Sequence, residues 1–172
     1  MDASSTFKDS LPTPPESLIG KLESLDINFT KHHHPPLRTV EESKIYRHNM
    51  PGTHVKNLYL RDKKKRNYLI IAEEDRTIDL KSLHTIIGSD RLSFGSAERL
   101  FEVLGVRPGA VSPFTMINDP DHRVSLSIDA ELMTAEKLYF HPLVNDITLG
   151  VAPDGLSRFL LDTGHKLKLI NF

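Results

Sequence analysis

The chain has 172 residues, 38% hydrophobic and 26% charged, and its 22 Lys+Arg against 23 Asp+Glu leave a net charge of −1. That length suits one domain with a real core and is short for two, while a balance without positive excess excludes nucleic-acid binding through broad electrostatics, so any RNA contact is local. The absence of cysteine excludes disulfides, thiol catalysis and thiolate zinc sites.

In chain order, MDASSTFKDS carries no basic region followed by an apolar one. A secretory leader is therefore not expected, and a cytoplasmic protein is. Apolar runs stay as short as Tyr68-Leu69-Ile70-Ile71-Ala72, so no membrane span is expected either. Residues 1–12 show no periodicity and read as a flexible tail preceding one domain over residues 13–172. Thr13-Pro14-Pro15-Glu16 reads as a capping box, and Leu18, Ile19, Leu22 and Leu25 follow at helical spacing, predicting a helix over residues 14–25. Residues 28–34 read as a strand stopped by Pro35-Pro36. A second capping box, Thr39-Val40-Glu41-Glu42, predicts a short helix to about residue 48.

Residues 55–61 alternate, with Val55, Asn57, Tyr59 and Arg61 on one face and Lys56, Leu58 and Leu60 on the other. With the apolar residues 68–72 they predict a β-hairpin whose tip is basic: Arg61, Lys63, Lys64, Lys65 and Arg66. Asp79 caps a helix ended by Gly88, and Ser96 opens another ended by Gly105. Strands are predicted over residues 124–128, 137–140, 147–151 and 166–170, with a helix between the last two closed by Gly164. Interleaved helices and strands place the chain in the α/β (α+β) class, a single domain with a mixed β-sheet flanked by short helices.

Between the helix ending at Gly105 and the polar Asn118-Asp119-Pro120-Asp121 lies Gly105-Val106-Arg107-Pro108-Gly109-Ala110-Val111-Ser112-Pro113-Phe114. Two glycines and two prolines in nine residues impose an unusual backbone path. The amides of Gly109, Ala110, Val111 and Ser112 are expected to remain as donors for a ligand; the plain alternative is a stiff connector.

Four stretches carry a resemblance: Val55-Lys56-Asn57-Leu58-Tyr59-Leu60-Arg61-Asp62, Leu92-Ser93-Phe94-Gly95, the glycine-proline loop of residues 105–114, and Phe140-His141-Pro142-Leu143. In this order they closely resemble the YbaK/prolyl-tRNA-synthetase-associated editing domain family, and within it the freestanding alanyl-tRNA(Pro) deacylases. The match runs over residues 17–172. The resemblance implies a YbaK-like fold, hydrolysis of the ester of alanine wrongly attached to tRNA(Pro), and no cofactor. It carries the functional lysine onto Lys56, the GxxxP loop onto Gly109-Ala110-Val111-Ser112-Pro113, and the pocket histidine onto His141. Asn57, Phe114, Ile45 and Met50 are expected to contact the substrate. The implied partners are tRNA(Pro) mischarged with a small amino acid and, among proteins, prolyl-tRNA synthetase or an elongation factor.

Each residue also has a plainer role. Lys56 also reads as a strand lysine snorkelling to solvent, His141 as a strand end, and the basic tip either as a solvated turn or as a phosphate contact. His32-His33-His34 invites a metal, but on a strand only His32 and His34 share a face, and no HExxH or cysteine supports one. No metal is expected. No GxSxG elbow, Walker motif or GxGxxG occurs. Two functional rivals stay open: deacylation of Cys-tRNA(Pro) or Ser-tRNA, and a non-catalytic tRNA- or synthetase-binding module. Oligomeric state is left open.

Overall fold

The computed structural model describes residues 5–172. Eight strands form one mixed sheet, with β1 (Phe29–His33), β2 (Thr53–Asp62), β3 (Asn67–Glu73), β4 (Leu92–Phe94), β5 (Val124–Asp129), β6 (Leu138–Phe140), β7 (Ile147–Val151) and β8 (Leu167–Ile170). Their order is β1-β7-β6-β2-β3-β5-β8, with β4 beside β2. The expected hairpin is β2 and β3, antiparallel with Lys56 opposite Ala72. β3 then pairs parallel with β5, and β5 with β8.

One irregularity positions everything that follows. β3 occupies one edge of β2, so β6 and β4 share the other. β6 pairs only with Thr53 and His54, while β4 pairs with Leu60, Arg61 and Asp62. Between them the edge of β2 at residues 55–58 has no strand partner among the described residues, and the sheet opens there. Gly95 follows from the same crowding: a Cβ on it would lie 2.2 Å from the Tyr59 ring.

Among the described residues, five α-helices cover the sheet: α1 (Pro15–Ser24), α2 (Val40–Lys44), α3 (Leu80–Ile87), α4 (Ala97–Leu104) and α5 (Pro153–Thr163). α3 and α4 start and stop where the sequence marks them. Asp79 accepts from the Lys81 amide and Ser96 from that of Arg99, while Gly88 and Gly105 close the helices in the left-handed conformation at φ 72° and 66°. α1, α4 and α5 bury Leu18, Leu22, Leu100, Leu104 and Phe159 against Leu69, Ile71, Leu126 and Ile128 of the sheet. α3 covers the opposite face with Leu83 and Ile87 on Leu60, Tyr68 and Ile70.

Three expectations need correction. Pro14, not Thr13, caps α1 and makes no side-chain cap; the Thr13 hydroxyl instead donates to Asn118 Oδ1 at 2.6 Å. α2 stops at Lys44, four residues early, and buries no side chain. Of the tail expected at residues 1–12, residues 1–4 lie outside the described residues, but residues 5–10 form a 3-10 turn. Lys8 pairs with Asp146 at 3.2 Å and Leu11 packs on the core, so residues 8–11 are anchored rather than loose.

Candidate active site

At the open edge of β2 lies a cavity of about 240 Å³. Lys56 and Asn57 both line it although they alternate across the strand, because the cavity sits against the edge rather than a face. The Lys56 ammonium donates to the Arg76 carbonyl in the turn after β3. Asn57 Oδ1 is buried without a hydrogen-bond partner among the described residues. A buried acceptor left open in this way carries a desolvation cost of about 1–3 kcal/mol, which a donor on a bound molecule would relieve.

The opposite wall is the segment around α2, contributing Leu37, Thr39, Val40, Ser43 and Arg47. Thr39 Oγ1 accepts from the Glu42 amide at 3.1 Å, while the Glu42 carboxylate accepts from the Arg38 amide at 2.7 Å. The capping box is therefore shifted by one residue on its return bond. Arg47 holds this wall to the turn after β3 through a two-pronged ion pair with Glu74, their side chains only 16% and 7% exposed. Lys44 adds an exposed pair with Asp75 at 2.9 Å.

The glycine-proline loop closes a third side through Gly109 and Val111. Gly109 sits at φ 94°, a backbone region that a residue with a Cβ rarely adopts. The expectation of four spare amides is corrected here: the Ala110 amide donates to the Arg107 carbonyl at 3.1 Å. The Gly109, Val111 and Ser112 amides have no hydrogen-bond partner among the described residues. Ala110, Ser112 and Pro113 turn into the protein and do not line the cavity. Their part is to shape the loop. Ser112 Oγ accepts from the Phe114 amide at 3.2 Å and its carbonyl accepts from Thr115 Oγ1 at 2.6 Å, so a 3-10 turn over Pro113–Asn118 follows.

His141, just past β6, lines the same cavity and a recess of about 50 Å³ behind it. Its Nδ1 lies 2.8 Å from the Ile147 carbonyl, which only accepts, so Nδ1 carries the proton and Nε2 keeps its lone pair. Burial pushes the imidazole pKa down to about 4, with the neighbouring His34 acting in the same direction. A ring neutral above that pH is an acceptor fixed in one tautomer. The site thus gathers the Lys56 ammonium, two uncharged acceptors and loop amides around a small cavity whose far wall also carries the Arg47–Glu74 ion pair, which suits a polar molecule bearing both an amine and a carbonyl.

Three of the expected substrate contacts lie elsewhere. Phe114 is fully buried, edge-on to Phe140 and Phe159 at 5.7 and 5.3 Å, because the 3-10 turn points it into the core. Ile45 is 71% exposed at the end of the shortened α2. Met50 is buried, but under a neighbouring cleft. At the basic tip, Arg66 pairs with Asp62 and Asp90, Lys64 with Asp90, and Arg61 donates to the Lys65 carbonyl. Lys63 lies seven residues beyond Lys56 along the hairpin, about 20 Å away. Sequence reasoning missed Arg47 and Glu74, which are 27 residues apart and have no local signature. Thr39, in the capping box, was a usable pointer to the α2 wall.

Residues 34–159 match the aminoacyl-tRNA editing domain family. The chain is 40% identical over 157 residues to the prolyl-tRNA editing protein ProX of Acetoanaerobium sticklandii, covering 90% of this chain and 95% of the relative. It is 35% identical over 161 residues to prolyl-tRNA synthetase associated domain-containing protein 1 of Bos taurus, covering 91% and 94%. Among solved structures, hypothetical protein APE2540 superposes with a TM-score of 0.70 at 19% identity over 89% of this chain and 97% of that one, a likeness of fold. Among the described residues no helix is long and apolar enough to cross a membrane.

Proposed function

The chain belongs to the aminoacyl-tRNA editing domain family, and on that premise we propose that it is a trans-editing deacylase hydrolysing the ester between alanine and tRNA(Pro). The observation that carries the proposal is the convergence of Lys56, Asn57, Gly109 and His141 on one small cavity. The names of the relatives, a prolyl-tRNA editing protein and a prolyl-tRNA synthetase associated protein, support tRNA(Pro) as the RNA and the synthetase as a protein partner. A tRNA substrate suits a cytoplasmic setting.

Hydrolysis adds water across the ester carbonyl, through a tetrahedral oxyanion, and releases alanine and the ribose hydroxyl. The Gly109 and Val111 amides are the donors proposed for the oxyanion; removing one such donor typically costs about 10²–10³ in rate. Lys56, a charged donor freed from the Arg76 carbonyl, holds the substrate carbonyl or the terminal phosphate. His141, with a pKa of about 4, is too weak a base to take a proton efficiently near neutrality. It acts instead by accepting a hydrogen bond at Nε2 from the α-ammonium or the attacking water. Asn57 Oδ1 accepts a second. The proton for the leaving oxygen comes through a hydroxyl of the terminal ribose itself, which fits a site without a protein nucleophile.

Such a sieve has a clear physical purpose. A synthetase pocket shaped for proline rejects a smaller side chain weakly, since a missing methylene is worth only about 1–3 kcal/mol. A second, smaller pocket removes the error. Deacylation of Ala-, Cys-, Ser- and Pro-tRNA(Pro) tests this: alanine released fastest and proline retained is expected, and equal rates for all four would refute the assignment.

A further inference from the structure

Beside the candidate pocket lies a second depression, of about 230 Å³, lined by His33, His34, Tyr46, His48 and Asn49 with Met50 among its walls. α2 and the residues that follow it serve both depressions. Ser43 and Arg47 line the pocket, whereas Tyr46, His48 and Asn49 line the cleft. His34 stands between them, its ring 5.8 Å from that of His141 on one side and 6.2 Å from that of Tyr46 on the other.

The His34 ring is held edge-on. Its Nδ1 donates to the Pro35 carbonyl at 2.8 Å, so its Nε2 accepts, from the Thr148 hydroxyl at 2.6 Å. Both nitrogens are engaged within the protein, and what the ring offers a ligand is its face. Nothing in the cleft is arranged for a metal. Among the described residues, three or more ligating atoms within 4.8 Å of one another occur at Glu73, Glu74 and Asp75, outside the cleft.

Flat rings at a wet surface, a side-chain amide and a nearby cation form a different kind of site. Tyr and His faces are platforms for unpaired bases. The Asn49 amide presents a donor and an acceptor together, matching the edge of adenine. Lys31, also on the cleft wall, supplies a charge for a phosphate. An amino acid esterified to a terminal ribose is separated from that nucleotide's base by one sugar, and pocket and cleft are separated by one side chain.

We propose that this cleft seats the unpaired base of the 3′-terminal adenosine of the tRNA, stacked on the Tyr46 ring, with His34 as the wall toward the pocket and His48 and Asn49 at its rim. The assignment to the 3′ end rests on the deacylase reading of the adjacent pocket. It explains the use of the His32-His33-His34 run and the exposed His48, which the proposed chemistry leaves without a role.

The test is an NMR titration of the full chain with the trinucleotide cytidylyl-cytidylyl-adenosine, following the ring signals of His34, Tyr46 and His48. The same trinucleotide ending in an abasic ribose is the control. Ring-current shifts at these residues with the base, and none without it, are expected. Tyr46→Leu, and separately the surface change His48→Ala, should each weaken binding about tenfold. Unmoved cleft rings, or an equal response to the abasic control, overturn the proposal. Because no ester is cleaved, shifts in a chain that fails to deacylate would support the base seat and refute the deacylase reading. Deacylation with unmoved rings would overturn the base seat alone.

Discussion

His141 should make the protein's stability depend on pH in a way one substitution removes. In the folded chain burial holds its pKa at about 4, against 6.5 for an ordinary histidine. The unfolded chain therefore binds this proton more readily than the native one. Stability from a neutral His141 is fully present above pH 6.5, declines as the pH falls through the window from 6.5 to about 4, and is lost below it. The whole gap corresponds to about 3 kcal/mol, of which about 2 kcal/mol should be gone at pH 5. His34 and His54 are also lowered by burial and tilt the curve the same way, so the informative quantity is a difference. Urea unfolding of wild type and His141→Gln at pH 5 and 7 measures it. The wild type should lose about 2 kcal/mol more than the variant between the two. Equal losses would refute a neutral His141 and with it the fixed acceptor in the site.

Gly109→Ala places a Cβ at φ 94°, which should cost about 1–3 kcal/mol in urea unfolding if the loop holds its path. If the loop relaxes instead, stability is kept and deacylation falls about 10²-fold; a variant unchanged in both would remove the strain argument. Glu74→Gln leaves Arg47 in a largely enclosed wall without its counter-charge, and equilibrium unfolding should show a loss of about 3–5 kcal/mol. A loss below about 1 kcal/mol would put that pair in the class of solvated surface bridges. Lys63→Ala with Lys65→Ala should weaken tRNA binding equally whatever amino acid is attached. The slope of log K against log[salt] should drop by about 1–2. An unchanged slope would make the tip a solvated turn.

Where local chemistry decides structure, the sequence was readable. Asp79 with Gly88 and Ser96 with Gly105 bracket their helices because a capping oxygen and a left-handed glycine act within one turn. The β2–β3 hairpin announced itself through alternation. The pairings that build the site are not local: β2 beside β6, β3 beside β5, and β5 beside β8 are parallel contacts with no short-range signature. Lys56, Gly109 and His141 are far apart along the chain, and only the family resemblance suggested that they meet. Phe114 went astray because an apolar residue after a binding loop reads equally as pocket wall or core. The 3-10 turn decided for the core. Ile45 failed for the opposite reason, since α2 ends before the turn that would have carried it inward. The Ala110 amide looked free because a turn closed by Arg107 cannot be told from an open loop by composition.

The most direct measurement is single-turnover hydrolysis of Ala-tRNA(Pro) and Pro-tRNA(Pro) by wild type, Lys56→Ala and Gly109→Ala, with folding of each checked by circular dichroism. The wild type should release alanine and spare proline. Each variant should lose at least about tenfold on the alanyl ester, the effect of one charged hydrogen bond or one oxyanion donor. Undiminished turnover in both variants, or proline released as fast as alanine, would contradict the site and its role as a sieve.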